Sequence, residues 1–436
     1  MKKRITSLLL ALVIAASVCG VAFAAEENEP AAAPRTDSAG ELSFENIADA
    51  MKKKGLAVLA IEESIAQLEC IDYKKLQNEL NANLFDVLVT QTDLTKLING
   101  VRGSIDAIAA SSLGAEAGAG ASAAINGYIA ASSAASVAGL QAQYDAYEDA
   151  VDDIIEGKLQ ADNQLIIDQL RSMENQTIFG AQTLYITLIK LEITEAALKR
   201  TVASLERTVE ELSLRYELGQ ISELTLLQTK AGLESARSGL ATLQVSLSAM
   251  RAQLELLTGM DVKGNLKTRP LPEVTKRQLS LIYYDGDLNT AKANSYELKA
   301  AKKAFDDAEE TYKDACDEYK HNTSTYKYEQ AIHAHNAAKY TYESTVTAFE
   351  MNFRNLYNEL KDKAQVLSAA KTSFEAAEAA FAASELKYKQ ETISRNAYLS
   401  AQDELEDARD TVTTAKYDLY ASWNEYRCAV DCGILS

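Results

Sequence analysis

The chain has 436 residues, with 44 basic side chains against 63 acidic ones and a formal charge of −19. That balance argues against a nucleic-acid binder, which needs a basic face. It suits a solvated acidic surface or the wall of a cation-favouring passage. The four prolines are Pro30, Pro34, Pro270 and Pro272. An interior proline costs a helix ~3 kcal/mol, so the two long proline-free blocks are expected to be helical.

In chain order, Lys2, Lys3 and Arg4 precede an apolar run that ends in Ala22-Phe23-Ala24. This predicts a secretory signal peptide over residues 1–24. Val18 stands where a lipid-modified Cys19 would need a small residue before it, which disfavours a lipoprotein. No later run reaches the ~18 consecutive apolar residues of a membrane helix. Residues 25–40 read as a disordered leader of Ala, Glu, Pro and polar residues.

A first helical repeat is predicted over 41–259. It opens near Leu42-Ser43-Phe44-Glu45 and keeps a helical pattern through Lys96. A second run goes from about Tyr144 to Leu218, with Val202, Leu205, Val209, Leu212 and Tyr216 three and four apart. At ~1.5 Å per residue this predicts a rod on the order of 100 Å long, which needs neighbouring rods to bury its stripe. Between the two lies a small-residue, low-complexity insertion at about 100–140. It is poor in the alternation and aromatic girdles of membrane strands. A loop or weak helices are expected there, against a reduced hairpin or a small-residue helix pair.

The linker 260–276 carries the glycines and prolines of a crossover. A second helical repeat follows over 277–436. Asn294-Ser295-Tyr296-Glu297-Leu298 is expected to start a helix, and His321 to Ser324 (HNTS) to interrupt it. Phe305, Tyr312, Tyr319, Tyr326, His333 and Tyr340 stand seven apart and predict an aromatic heptad seam. A further rod should run to about Lys389, bend, and end near Val430.

Two stretches match without a gap: Leu214 to Leu240 (LRYELGQISELTLLQTKAGLESARSGL) and Leu386 to Val412 (LKYKQETISRNAYLSAQDELEDARDTV). Their offset is 386 minus 214, or 172. Each should end one long helix and start another. Gly219 can take the left-handed conformation that stops a helix. Ser222 and Ser394 can cap the next one, and Ile221 and Ile393 are placed to staple the turn. The second copy has Glu391-Thr392 in place of Gly219-Gln220 and lacks the glycine. Matching Lys54-Gly55-Leu56 to Asn294-Ser295-Tyr296 gives an offset of 240 (294 minus 54), so the first half holds 68 extra residues (240 minus 172) before its bend.

A tyrosine, a short glycine-containing turn, an isoleucine and then L-x-x-L-Q-x-x-x-x-L-x-x-A-R occurs twice in the TolC-like outer-membrane efflux proteins, which this chain resembles; the stretch from Leu214 is the better match, and the one from Leu386 departs at the glycine. The resemblance covers nearly the whole mature chain. It implies an all-α protomer of long antiparallel coiled-coil helices in two tandem repeats, contributed to a helical barrel. Here little or no β-barrel is expected, because the insertion reads poorly as strands and HNTS is too short for two. The resemblance also implies a homotrimer, a periplasmic adaptor (membrane fusion) protein, an inner-membrane transporter and membrane association through the assembly. The protein would be exported to the cell envelope, and to the outer membrane where there is one. Residues carried over for adaptor docking and gating are Gly219, Ile221, Ser222, Leu224 and Leu227, with Thr392, Ile393, Ser394 and Leu399.

No catalytic or cofactor-binding constellation is legible: GxSxG, P-loop, HExxH and paired CxxC motifs are missing. His333 and His335 are two apart and do not share a helix face. Cys428 and Cys432 lie one turn apart and could oxidise together, while Cys70 and Cys316 read as buried thiols on helices. The expected function is the exit-channel subunit of a tripartite efflux or type I secretion-type export system, not an enzyme. The rivals are a non-pore envelope coiled-coil protein and a helical pore-forming toxin with 100–140 as its membrane-entering tongue.

Overall fold

The structure is a computed structural model that describes residues 41–112 and 115–435. The expected signal peptide, leader and Cys19 lie outside the described residues. In order, the elements are β1 (Glu41–Leu42), a 3-10 turn (Phe44–Asn46), α1 (Ile47–Lys54), α2 (Leu56–Glu69), α3 (Tyr73–Ser112), α4 (Ala115–Ile155), α5 (Lys158–Glu217) and α6 (Glu223–Leu257). Then come β2 (Lys267–Thr268), α7 (Lys276–Ser280), α8 (Tyr284–Asn294), α9 (Tyr296–Tyr319), α10 (Tyr326–Lys389) and α11 (Arg395–Cys432). The only strands among the described residues are β1 and β2, which pair in parallel with Glu41 opposite Lys267.

The chain forms two compact units, one of them spanning Ala66–Ile167. This first unit is built on α3 and α4 as an antiparallel helix pair. Gln91 donates to Gln141 (3.0 Å), Asn126 to Asp106 (2.9 Å) and Asn163 to the Tyr73 hydroxyl (2.9 Å). Half-buried Tyr73, Gln77, Leu80, Leu84, Val87, Gln91, Leu94 and Ile98 alternate at four and three, a coiled-coil seam. The insertion at 100–140 is therefore helical wherever described, where a loop or weak helices were expected. The described residues of this stretch add helix rather than strand. No helix of the described residues is long and apolar enough to cross a membrane.

The second unit comprises the described residues up to Ile65 and from Asp168 onward. It holds two apolar clusters. One joins Phe44, Ile47, Met51 and Val58 to Tyr185 and Leu188 of α5 and to Leu247 and Leu254 of α6. The other joins Ala291 and Leu298 to Phe349, Phe353, Leu356 and Leu360 of α10 and to Leu419 and Tyr426 of α11. Burial follows the offsets read in the sequence. At 172, Ala181 and Phe353, Leu188 and Leu360, Leu247 and Leu419, and Leu254 and Tyr426 are all buried. At 240, Met51 and Ala291, and Val58 and Leu298, are buried too. Gly55 (φ −71, ψ 108) and Ser295 (φ −70, ψ 116) end helices in the same extended conformation.

Two further expectations need correction. The rod from Tyr144 to Leu218 is interrupted: Gly157 takes φ +75 and separates α4 from α5. A left-handed residue cannot continue a right-handed helix, and glycine occupies that region without steric cost. The aromatic heptad seam does not run through HNTS either. The chain turns there, with Lys320 and His321 at positive φ, and Tyr326 and Tyr340 are left 72% and 66% exposed. The rings that meet across the turn are Phe305 with His335 and Tyr342, and Tyr312 with Tyr328 and His335. Reversal of the chain after Tyr319 breaks the count of seven and starts a new one at Tyr328, His335 and Tyr342.

Candidate functional site: the paired bends

Both bends are made by the same backbone hydrogen bonds. In the first, the Gly219 amide donates to Tyr216 O (2.9 Å) and the Gln220 amide to Arg215 O (2.8 Å). In the second, the Glu391 amide donates to Tyr388 O (2.9 Å) and the Thr392 amide to Lys387 O (2.9 Å). This crossed pair is the Schellman stop, which satisfies carbonyls orphaned at a helix end and requires a left-handed residue. Gly219 supplies it at φ +71; Glu391 supplies it at φ +56 despite its side chain. The Thr392 hydroxyl donates a further bond to Lys387 O (2.8 Å), so the second bend gains a contact that the first lacks. Each new helix then starts on a serine: Ser222 Oγ accepts from the Thr225 amide (3.2 Å) and Ser394 Oγ from the Ala397 amide (3.1 Å).

A row of polar contacts sets the two bends at one end of the second unit. Going toward the bends, Asn424 of α11 donates to Gln182 of α5 and Lys190 pairs with Asp418. Arg200 then pairs with Asp407 and Asp410, and Arg207 with Asp403. Asn396 donates to Glu211 at 2.7 Å, beside the bends themselves. As numbers rise on α5 they fall on α11, so the two helices run antiparallel and their bend-proximal ends coincide. Burial alone would lower the Arg200 pKa; the hydrogen bonds and charges of Asp407 and Asp410 outweigh it and raise it. Within the first half, Arg237 and Glu206, Gln244 and Glu195, and Arg251 and Glu192 tie α6 back to α5 in the same way.

The expected site residues divide by environment. Ser222 and Ser394 are caps, Gly219 is the helix stop, and Thr392 reinforces the second stop. Ile221, Ile393 and Leu399 are half-buried, whereas Leu224 and Leu227 are 64% and 53% exposed. The corresponding leucines Leu227 and Leu399 thus differ. Around them lie exposed apolar side chains outside the expected docking residues: Leu214 and Leu386, which open the two matched stretches, and Leu218. Tyr388 stacks on Tyr398 at 4.7 Å between centroids, and Phe381 lies against the same ring. The cross-half ion pairs also went unread, although Arg200 and Arg207, like Asp403 and Asp410, stand one heptad apart and so recur on one helix face. Among the described residues no group of three or more His, Cys, Asp or Glu side chains is placed to hold a metal.

Long helices, two equivalent Schellman bends at one end and a charged row joining the halves define a helical-bundle protomer with a doubled tip. No family model matches the sequence, and no curated protein does. Solved structures do. The outer membrane channel CmeC of Campylobacter jejuni aligns with a TM-score of 0.51 at 13% identity, over 66% of this chain and 68% of that one. The outer-membrane channel OprN aligns at 0.49 and 16% identity, over 62% and 69%. A membrane protein from Pseudomonas aeruginosa aligns at 0.48 and 13% identity, over 64% and 71%. At such identities the likeness speaks to fold. The chain has the TolC-like protomer fold, almost entirely helical and with no closed β-barrel among the described residues.

Proposed function

We propose that the chain is the exit-channel subunit of a tripartite efflux or type I secretion-type export system. It acts in the cell envelope, at the outer membrane, as a homotrimer. Its paired bends receive a periplasmic adaptor that links it to an inner-membrane transporter. The observation that carries this reading is the placement of both bends at one end, braced by Asn396 and Glu211, with Leu214, Leu218, Leu224, Leu227 and Leu386 exposed around them. Exposed apolar side chains grouped on a rigid corner are what a helical partner can bury. A doubled protomer suits a closed ring, because each half presents the same kind of face to a neighbour.

The test uses Gly219 and Ser222. A Cβ at Gly219 meets no atom within 4 Å, so a large side chain there has room, at the cost of the backbone strain that φ +71 imposes on any residue but glycine. Gly219→Trp and Ser222→Arg are expected to reduce cross-linking of the bends to the adaptor and to reduce export together, with assembly intact. Normal cross-linking and normal export in both variants would refute the docking role.

A further inference from the structure

Cys428 and Cys432 end α11, both partly exposed and neither in a disulfide. Four residues apart on a helix, they project from one face about 6 Å apart along the axis. Their thiols face one another closely enough that each shifts the other's titration. That proximity holds the Cys432 thiol below its ordinary range, and the Lys52 ammonium acts in the same sense. It also raises the Cys428 thiol, with burial adding to the rise. Lys52 of α1 is itself paired with Glu174 of α5 at 2.9 Å, so the dithiol sits where three helices come together. The channel reading uses none of these groups.

We propose that Cys428 and Cys432 are a dithiol site that chelates a soft, thiophilic centre through two sulfurs. Trivalent arsenicals and linear d10 cations such as Ag(I) share that chemistry. Thiolates select soft ions, and two partly exposed thiols on adjacent turns of one helix face can close on one by a change of side-chain rotamer. A tetrahedral ion such as zinc takes about four ligands; the described residues place no third ligating group with the pair. With an aryl-arsenic(III) diol the balance is simple. Two As–S bonds form, two As–O bonds break, and the two thiol protons leave with the hydroxyls as two waters. With Ag(I) the two sulfurs take the metal and one or both protons pass to solvent. The site stands independently of any role in export.

The full-length, reduced protein is titrated with phenylarsine oxide and, separately, with Ag(I), while free thiols are counted. One equivalent is expected to mask two thiols. Cys428→Ser and Cys432→Ser should each weaken binding at least ~100-fold, because the second sulfur acts at a high effective concentration. Cys70→Ser and Cys316→Ser should change nothing. Far-ultraviolet circular dichroism confirms that each variant is folded, and either of the two single variants suffices. Two-thiol capture of only one probe supports the site and fixes its ligand class. Capture of neither, masking of one thiol per equivalent, or single variants that bind like wild type would overturn it.

Discussion

The two bends make one helix stop from different residues, and this difference can be turned into a measurement. Glu391 holds φ +56 with a Cβ, whereas Gly219 holds φ +71 without one. A left-handed residue other than glycine costs ~1–2 kcal/mol. Glycine gives back about 0.5–1 kcal/mol through its larger unfolded-state freedom. The balance favours glycine by about 1 kcal/mol at either position. Glu391→Gly should therefore tighten the second bend, and Gly219→Glu, which meets no atom within 4 Å of its Cβ, should loosen the first by the same amount. The amides to follow are those of Glu391 and Thr392 in one bend and of Gly219 and Gln220 in the other. In native-state hydrogen exchange 1 kcal/mol is about a fivefold change in the rate of local opening. Exchange should slow about fivefold in Glu391→Gly and quicken about fivefold in Gly219→Glu. Unchanged or faster exchange in Glu391→Gly would refute the argument that both stops are Schellman bends with a left-handed residue.

Three other outcomes follow from the second unit. Arg207 and Asp403 pair with side chains about a quarter exposed, so Arg207→Ala should cost about 1 kcal/mol in thermal unfolding at low salt, and less at 1 M salt where exposed charge is screened. The buried Tyr185 hydroxyl shares its one proton between Leu42 O and Arg269 O and accepts from the Arg269 amide, tying β1 to the residue that follows β2; Tyr185→Phe should cost about 1–3 kcal/mol, read as a lower melting temperature and faster proteolysis near Lys267. Burial raises the Glu425 carboxyl above its ordinary value, and the nearby Glu359 adds to the rise. A carboxyl raised in the fold favours folding while protonated and opposes it once ionised, so this cost sets in as pH rises through the ordinary carboxyl range and is complete above the raised value. Glu425→Gln should therefore melt higher than wild type at pH 7, with the gain shrinking as pH falls toward about 4; an equal gain at both pH values would refute the electrostatic cause.

What could be read from the residues alone was local chemistry. Ser222 and Ser394 announced caps because a hydroxyl three residues before a free amide has one good use at a helix start. Gly219 announced a stop for the same kind of reason. Glu391 did not, since a glutamate carries no mark of left-handed backbone; the hydrogen bonds of Thr392 to Lys387 hold it there. Gly157 carries the same signal as Gly219, but it lies within a run whose apolar spacing is unbroken. The helices of 100–140 were hidden by their own composition. Glycine lowers helix propensity, and the seam that supports α3 lies upstream of the insertion, from Tyr73 to Ile98. The aromatic count of seven failed because spacing along a chain carries no information about reversal of direction. The charged row between α5 and α11 pairs side chains some two hundred positions apart, beyond the reach of local reading.

The claim that two equivalent bent rods form the wall and tip of a conduit is met most directly by single-channel recording. Purified, folded oligomer is added to a planar bilayer and the current is followed at fixed voltage. A steady conductance of uniform size is predicted, altered by Gly219→Trp at the tip. Folded oligomer that never conducts would contradict the account.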